Sequence, residues 1–267
     1  MTSHRDKTLV TVATYNEIEN LPDLVDEIFQ HADGANIDVD ILVVDDNSPD
    51  GTGDWCDERQ QRDPRVKCLH REGKLGLGTA IIAGMKYAVE NDYRYVLNMD
   101  ADFSHHPRYI PGLIAGMEPG EEEETEPLDV MIGSRYVPGG GVEGWPLHRH
   151  FMSRGVNIYA RTLLGLRSKD CSGSFRCYRT SLLGRLDFDH VRSRGYSFQE
   201  EILWHLRRLG ARFGEMPIIF VDREKGQSKI DLREMVSALA MIFSLGVQSL
   251  LRIAPSSEKP DSSAGGS

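Results

Sequence analysis

The sequence predicts an α/β fold with a mostly parallel central sheet flanked by helices, on three observations. Strand-like runs at Thr8 to Ala13, Asp40 to Val44 and Tyr93 to Met99 alternate with helical patterns at Asn20 to His31 and Leu77 to Glu90. That alternation is expected of parallel strands joined by crossover helices. Each run ends in a polar cluster: "TYNE" (Thr14 to Glu17), "DDNSPDGTG" (Asp45 to Gly53) and "DADFSHH" (Asp100 to His106). In open α/β sheets ligands bind at the carboxyl ends of the strands, so the three clusters are expected to converge on one crevice. A chain of 267 residues with 40% hydrophobic content can bury the core of one large α/β domain or two small ones.

The elements follow in order. The first helix carries Pro22, which its first turn tolerates. "GKLGLGTA" (Gly73 to Ala80) feeds the second helix. It lacks both the G-x-x-x-x-G-K-[ST] and the G-x-G-x-x-G order, so a glycine turn accounts for its shape, with Lys74 able to approach a phosphate. "EPGEEEETEP" (Glu118 to Pro127) reads as a charged surface loop. "DVMIGSRYVPGGG" then reads as a strand entering a flexible glycine loop, followed by helices at Ser153 to Leu164 and Phe198 to Leu209 and a strand at Glu215 to Val221. From Asp231 to Arg252, Met235, Leu239, Ile242, Phe243 and Val247 recur at helical spacing. The apolar section, Ser237 to Leu251, is shorter than the ~20 residues a membrane span needs. Such a helix either packs on the core or lies in a membrane interface. The Ser/Gly/Pro-rich tail is expected to be disordered, and no internal repeat is present.

Charge divides the chain. Residues 1–132 hold 11 basic and 28 acidic side chains, a net −17, whereas residues 133–229 hold 17 and 9, a net +8. An acidic half suits a cation and a basic half an anion, although solvated surfaces give the same counts. Cys56, Cys68, Cys171 and Cys177 lack the paired short spacing of zinc sites and read as buried reduced thiols. With a polar N-terminus and no long apolar run, the chain is expected to be cytoplasmic, or to lie on a membrane from that side.

The chemistry begins at Asp100 and Asp102. Side chains alternate along a strand, so these two carboxylates are expected on one side of the chain, where they repel unless a cation lies between them. Asp is also a common turn and cap residue. A hard divalent ion prefers carboxylate oxygens, typically one or two of them together with substrate phosphates. His105 and His106 lack further nitrogen or sulfur partners at zinc spacing and read as loop or supporting residues. In the later half, "GSRY" places Arg135 just past a strand, and "WPLHRHFMSRG" supplies Arg149, Ser153 and Arg154. Arginine forks suit phosphate. "DREKGQSK" sets Arg223, Lys225 and Lys229 around Gly226, the pattern of a mobile basic lid over an anion.

Taken together, "TYNE", "DDNSPDGT", "GKLGLGTA", "DADFSHHP", "GSRY", "DCSGSFRCYR", "GYSFQEE" and "VDREKGQSK" resemble dolichyl-phosphate mannose synthases. These are the polyprenyl-phosphate sugar transferases within the inverting nucleotide-sugar glycosyltransferases. The resemblance runs in order from about Thr8 to Phe243. It departs at Ala13, where the family more usually has Pro, and at the acidic loop.

The resemblance implies a Rossmann-like glycosyltransferase A-type fold. It implies a single domain over residues 1–252, with a nucleotide-sugar half near 8–132, an acceptor half near 133–229, a C-terminal amphipathic helix near 231–252, and a tail at 253–267. By motif, Ala13, Tyr15, Glu17, Val44 and Asp46 line the GDP-mannose site. Asp100, Ala101 and Asp102 hold its diphosphate through Mg2+ or Mn2+, with Asp102 the direct ligand and Ser104 beside it. Arg223 and Lys229 close over the donor phosphates, while Arg135, Arg149 and Ser153 take the phosphate of a polyprenyl or dolichyl acceptor. A membrane surface is the implied setting, with or without a small anchoring subunit, and no nucleic acid is expected. A UDP-glucose-dependent transferase on the same fold and a non-catalytic nucleotide-sugar-binding subunit are the alternatives.

Overall fold

The computed structural model describes residues 6–118, 126–195, 197–222 and 232–251. Arg223, Lys225 and Lys229, most of the acidic loop and the tail lie outside them.

The first half alternates as expected: β1 (Thr8–Thr14), α1 (Leu21–Gly34), β2 (Val39–Asp45), α2 (Thr52–Arg62), β3 (Val66–His70), α3 (Leu77–Glu90), β4 (Tyr95–Asp100) and α4 (Ile110–Ala115). The second half runs β5 (Val130–Ser134), β6 (Gly141–Glu143), α5 (Leu147–Leu164), β7 (Arg176–Arg179), α6 (Thr180–Leu183), α7 (Phe198–Arg208), β8 (Phe213–Pro217), β9 (Ile219–Val221) and α8 (Leu232–Leu251). Seven strands form one sheet in the order β3-β2-β1-β4-β7-β5-β8, and β6 pairs with β9 separately. β3, β2, β1 and β4 are parallel, β7 is antiparallel to both β4 and β5, and β8 runs parallel to β5.

Fully buried β-branched runs put β1 and β2 at the centre, because a parallel strand covered by helices is apolar on both faces. Alternation then feeds two cores. Leu9, Leu42 and Val96 face α3, α5, α7 and α8, while Val10, Val43 and Leu97 face α1 and α4. On α1 the buried positions are Leu21, Leu24, Val25, Ile28, Phe29 and Ala32, an apolar stripe at helical spacing.

The second half differs from the sequence reading in two places. α5 begins at Leu147 rather than Ser153, so Arg149 stands on its first turn rather than ahead of the helix. The run Glu215 to Val221 breaks at Ile218: Phe213–Pro217 joins the main sheet and Ile219–Val221 joins β6. The C-terminal helix packs on the core along one side and keeps apolar side chains exposed on another. Ile242 and Leu245 are buried in the core, whereas Val236, Phe243, Val247 and Leu251 are exposed.

Candidate active site

Strand order decides where the site lies. β1 has β2 on one side and β4 on the other, so the chain reverses its direction of winding there and the carboxyl ends of all three strands open on one crevice. The loops after β1 and β2 are tied together at their first residues. Backbone N–H groups of Asn16, Glu17 and Ile18 donate to Ser48 Oγ, Thr52 Oγ1 and Asp50 Oδ2 at 3.0–3.1 Å. Ser48 in turn donates through its hydroxyl to Asp45 Oδ1 at 2.5 Å.

Tyr15 lies exposed on this rim with the Lys74 ammonium 4.7 Å from its ring centre. Glu17 accepts from Asn20 Nδ2 at 2.9 Å. Asp46 pairs with Arg71 at 2.8 Å, and burial lifts its carboxyl above the usual value against the opposing pull of Arg71. Val44 and Ala101 are buried, so these two positions present backbone rather than side chain to a ligand.

Two of the glycines of "GKLGLGTA", Gly76 and Gly78, serve packing. A Cβ on Gly78 would stand 2.9 Å from the Ser193 carbonyl oxygen, and the Gly78 N–H donates to the Arg194 carbonyl at 2.9 Å. The start of α3 is therefore closed by Ser193, Arg194 and Phe198, which accounts for a glycine turn without a bound phosphate.

At the end of β4 the alternation argument stops applying. The strand ends at Asp100 and the chain turns through Phe103, whose φ of 60° is a left-handed conformation that a bulky side chain adopts only under constraint. His105 supplies that constraint. It is buried against Phe175, with ring centres 4.9 Å apart, and its Nδ1 accepts the Asp100 N–H at 3.2 Å. Burial holds the His105 imidazole below its usual value, which agrees with a neutral ring accepting that bond. Asp102 Oδ1 accepts the Ser104 N–H at 3.1 Å, and Asp100 Oδ1 accepts from Ser174 Oγ at 2.8 Å. His106 accepts the Arg108 N–H and caps the short turn that follows.

Across the crevice, Arg135 is buried and already forked. Its Nε and Nη2 each reach an Asp170 oxygen at 2.7 Å, and Nη2 also donates to Ser172 Oγ at 2.9 Å. Burial would lower the Arg135 value, but the adjacent Asp170 carboxylate overcomes this and raises it, so the guanidinium stays charged. Burial likewise works to raise Asp170, and Arg135 holds it below the carboxylate range. Arg149 lies on α5 over the Trp145 ring at 4.2 Å and donates to both Asp222 oxygens at 2.9–3.0 Å. Ser153 Oγ and Tyr136 Oη are 2.7 Å apart. Arg135 borders an open cleft of about 410 Å³ that also takes Arg154, Arg161 and Lys169 in its walls and, among the described residues, no acidic one. Arg154 is among the arginines that the sequence marks, whereas Arg161 and Lys169 join the site through the fold alone. Arg161 sits three turns along α5 from Arg149, and Lys169 comes from the loop after it.

One segment connects the two sides. Asp170 and Ser172 hold Arg135, while two residues on Ser174 holds Asp100. The profile described as "Glycosyl transferase family 2" matches residues 9–187, which takes in the corner at Asp100, the linking segment Asp170 to Ser174 and Arg135 with the cationic cleft. The chain belongs to glycosyl transferase family 2.

Its relatives in the family narrow the comparison. An undecaprenyl-phosphate mannosyltransferase of Micrococcus luteus is 43% identical over 84% of this chain and 87% of its own. A polyprenol monophosphomannose synthase of Mycolicibacterium smegmatis is 40% identical over 92% and 89%. These names agree with the resemblance carried by the motifs. Among solved structures, glucosyl-3-phosphoglycerate synthase from Mycobacterium tuberculosis, crystallised with Mn2+, UDP and glucosyl-3-phosphoglycerate, superposes with a TM-score of 0.60. It covers 94% of this chain and 82% of its own at 18% identity, a likeness of fold. The family 2 chain therefore has the glycosyltransferase A-type architecture that its motifs imply.

Proposed function

We propose that this family 2 enzyme transfers a mannosyl group from GDP-mannose to a polyprenyl (dolichyl) phosphate, giving a β-linked mannosyl phosphate and GDP by inverting displacement. The observation that carries the reading is the segment Asp170 to Ser174. It grips Arg135 at one end and Asp100 at the other, so a carboxylate corner and a cationic cleft stand side by side. The names of the relatives support the mannosyl group and the polyprenyl-phosphate acceptor.

Asp100, Asp102 and Ser104 offer only oxygen ligands, which fits Mg2+ or Mn2+. Such an ion, held there, supplies positive charge beside the diphosphate as it leaves. Tyr15, Glu17 and Asp46 on the tied β1 and β2 loops orient the nucleoside. Arg223 and Lys229 are proposed to close over the donor, and both lie outside the described residues.

On the acceptor side, the chemistry needs charge and position more than a base. A phosphate monoester has its second pKa at about 6, so its oxygen is already anionic near neutrality. Arg135, Arg149 and Ser153 hold that oxygen in line with the sugar, which substitutes orientation for proton abstraction. Arg149 exchanges Asp222 for the phosphate when the acceptor arrives.

No helix among the described residues is long and apolar enough to cross a membrane. We read the protein as resting on the cytoplasmic face of one. α5 exposes Leu147, Phe151 and Ile158 beside the cationic cleft, and α8, packed along it, exposes Phe243, Val247 and Leu251. A lipid-linked phosphate can thus reach the arginines while its chain stays in apolar surroundings.

Labelled GDP-mannose and labelled UDP-glucose, each incubated with a short polyprenyl phosphate, test the reading. Mannosyl transfer to the lipid phosphate from GDP-mannose alone is the expected result. Glucosyl transfer, or donor binding with no transfer, would replace it.

A further inference from the structure

The far edge of the sheet carries a second cluster of ligating groups, which the transfer reaction does not use. Asp57 on α2 and Cys68 and His70 on β3 bring a carboxylate oxygen, a sulfur and an imidazole nitrogen within 4.8 Å of one another. His70 Nε2 and Asp57 Oδ1 are 2.9 Å apart. Cys68 and His70 stand two residues apart on a strand, so both project from one face of β3. Cys56, buried on α2, lies within hydrogen-bonding reach of the Cys68 sulfur.

We propose that Asp57, Cys68 and His70 form a binding site for a transition-metal ion of the zinc class, distinct from the carboxylate corner at Asp100 and Asp102.

Ligand chemistry separates the two sites. A thiolate and an imidazole favour zinc and its neighbours, whereas Mg2+ and Mn2+ prefer the all-oxygen corner. Two strands, β2 and β1, stand between β3 and β4, so an ion at one site does not occupy the other. The geometry is close to what zinc needs. Bonds of about 2.0–2.3 Å to nitrogen, oxygen and sulfur set ligand atoms roughly 3.3–3.8 Å apart in a tetrahedron. The wider pairs have to close by about 1.5 Å at most and the His70–Asp57 pair, 2.9 Å apart, has to open by about 0.4 Å, movements within reach of rotation at the half-exposed Asp57 and His70 side chains. Asp57 and His70 are each about half exposed, leaving a path from solvent and a fourth position for water. Coordination acidifies the thiol so strongly that Cys68 releases its proton to solvent as the ion binds, with no separate base from the protein.

The ion has a structural consequence. A Cβ on Gly53 would lie 3.2 Å from His70 Cε1 and 3.1 Å from Asp45 Oδ2, so the imidazole already packs on the turn after β2. Metal ligation pins that turn and α2 to the edge strand.

Cobalt absorption tests the proposal on the reduced full-length protein in saturating Mg2+. Titration with Co2+ is expected to raise a thiolate-to-cobalt charge-transfer band that saturates at one equivalent and is displaced by Zn2+. Cys68→Ser removes the band, and His70→Gln, a change at an exposed ring, weakens Co2+ binding roughly 10-fold or more. Far-UV circular dichroism verifies that both variants are folded. Cobalt binding without a sulfur band, or a band that survives Cys68→Ser, would overturn the site.

Discussion

At Asp102 an amide in place of the carboxylate separates shape from charge. Asn keeps an oxygen in the place of the one that accepts the Ser104 N–H, so the corner after β4 retains its turn, while the charge that would hold a divalent ion is gone. Asp102→Asn is expected to leave the melting temperature nearly unchanged and to lower metal-dependent transfer by roughly 10²-fold or more. Undiminished transfer by the native protein in excess chelator would contradict the metal role. Glu200 offers a different test. It is buried, its Oε2 has no hydrogen-bond partner among the described residues, and burial pushes its carboxyl up to about 7. The folded protein therefore holds this proton more tightly than the unfolded chain. Its stabilising contribution is full below the ordinary carboxylate value and is lost as pH rises towards 7. Glu200→Gln should match the native protein at pH 4 and exceed its stability at pH 8 by roughly 2–3 kcal/mol. Melting curves at the two pH values check this, and equal effects at both would contradict it.

Among the elements, α8 makes the clearest distinction between packing and surface. Ile242 fills the core, so Ile242→Ala should cost about 2–5 kcal/mol in chemical denaturation. Phe243, its neighbour in sequence, is exposed. Phe243→Ser should leave stability within about 0.5 kcal/mol and reduce sedimentation with lipid vesicles. Vesicle binding equal to the native protein's would move the membrane contact elsewhere. The elements that sequence patterns miss share a cause. α2 buries only Thr52, Gly53 and Cys56, so "TGDWCDERQQR" shows no apolar stripe. β3 is a short edge strand with one fully buried residue, Val66. In β7 a core position is held by Arg176, whose donors go to the Gln199 and Cys171 carbonyls, and a charged residue there hides the strand. The central strands were legible because burial on both faces leaves an unbroken apolar run, and α1 and α3 because their buried stripes are apolar.

On the scale of the whole molecule, the acidic and basic halves of the sequence meet at one crevice. The side built from β1, β2 and β4 was legible, since each parallel strand must deliver its polar terminus to the same edge of the sheet. The link across it was not: "DCSGS" has no period, and its role comes from contacts 35 and 74 residues away. The division of labour can be tested at Arg149, which is paired at the surface, more cleanly than at Arg135. Removing Arg135 leaves Asp170 buried and unpaired, at a cost of about 3–5 kcal/mol. Arg149→Ala should raise the apparent KM for polyprenyl phosphate about tenfold or more, with GDP-mannose affinity unchanged by calorimetry. Equal loss of affinity for both substrates would reject separate donor and acceptor sites.

The position of β7 has a consequence for how the chain is made. This strand follows β4 and β5 in sequence yet lies between them, antiparallel to both. Until residues 176–179 leave the ribosome, β4 has a bare edge that can pair with any other extended chain. The two halves that differ in charge are thus inseparable during synthesis. A fragment ending at residue 132 should form insoluble aggregates rather than a small nucleotide-binding protein, and co-expression with residues 133–267 should recover soluble material. A monodisperse, cooperatively melting 1–132 fragment would mean that β4 tolerates its open edge.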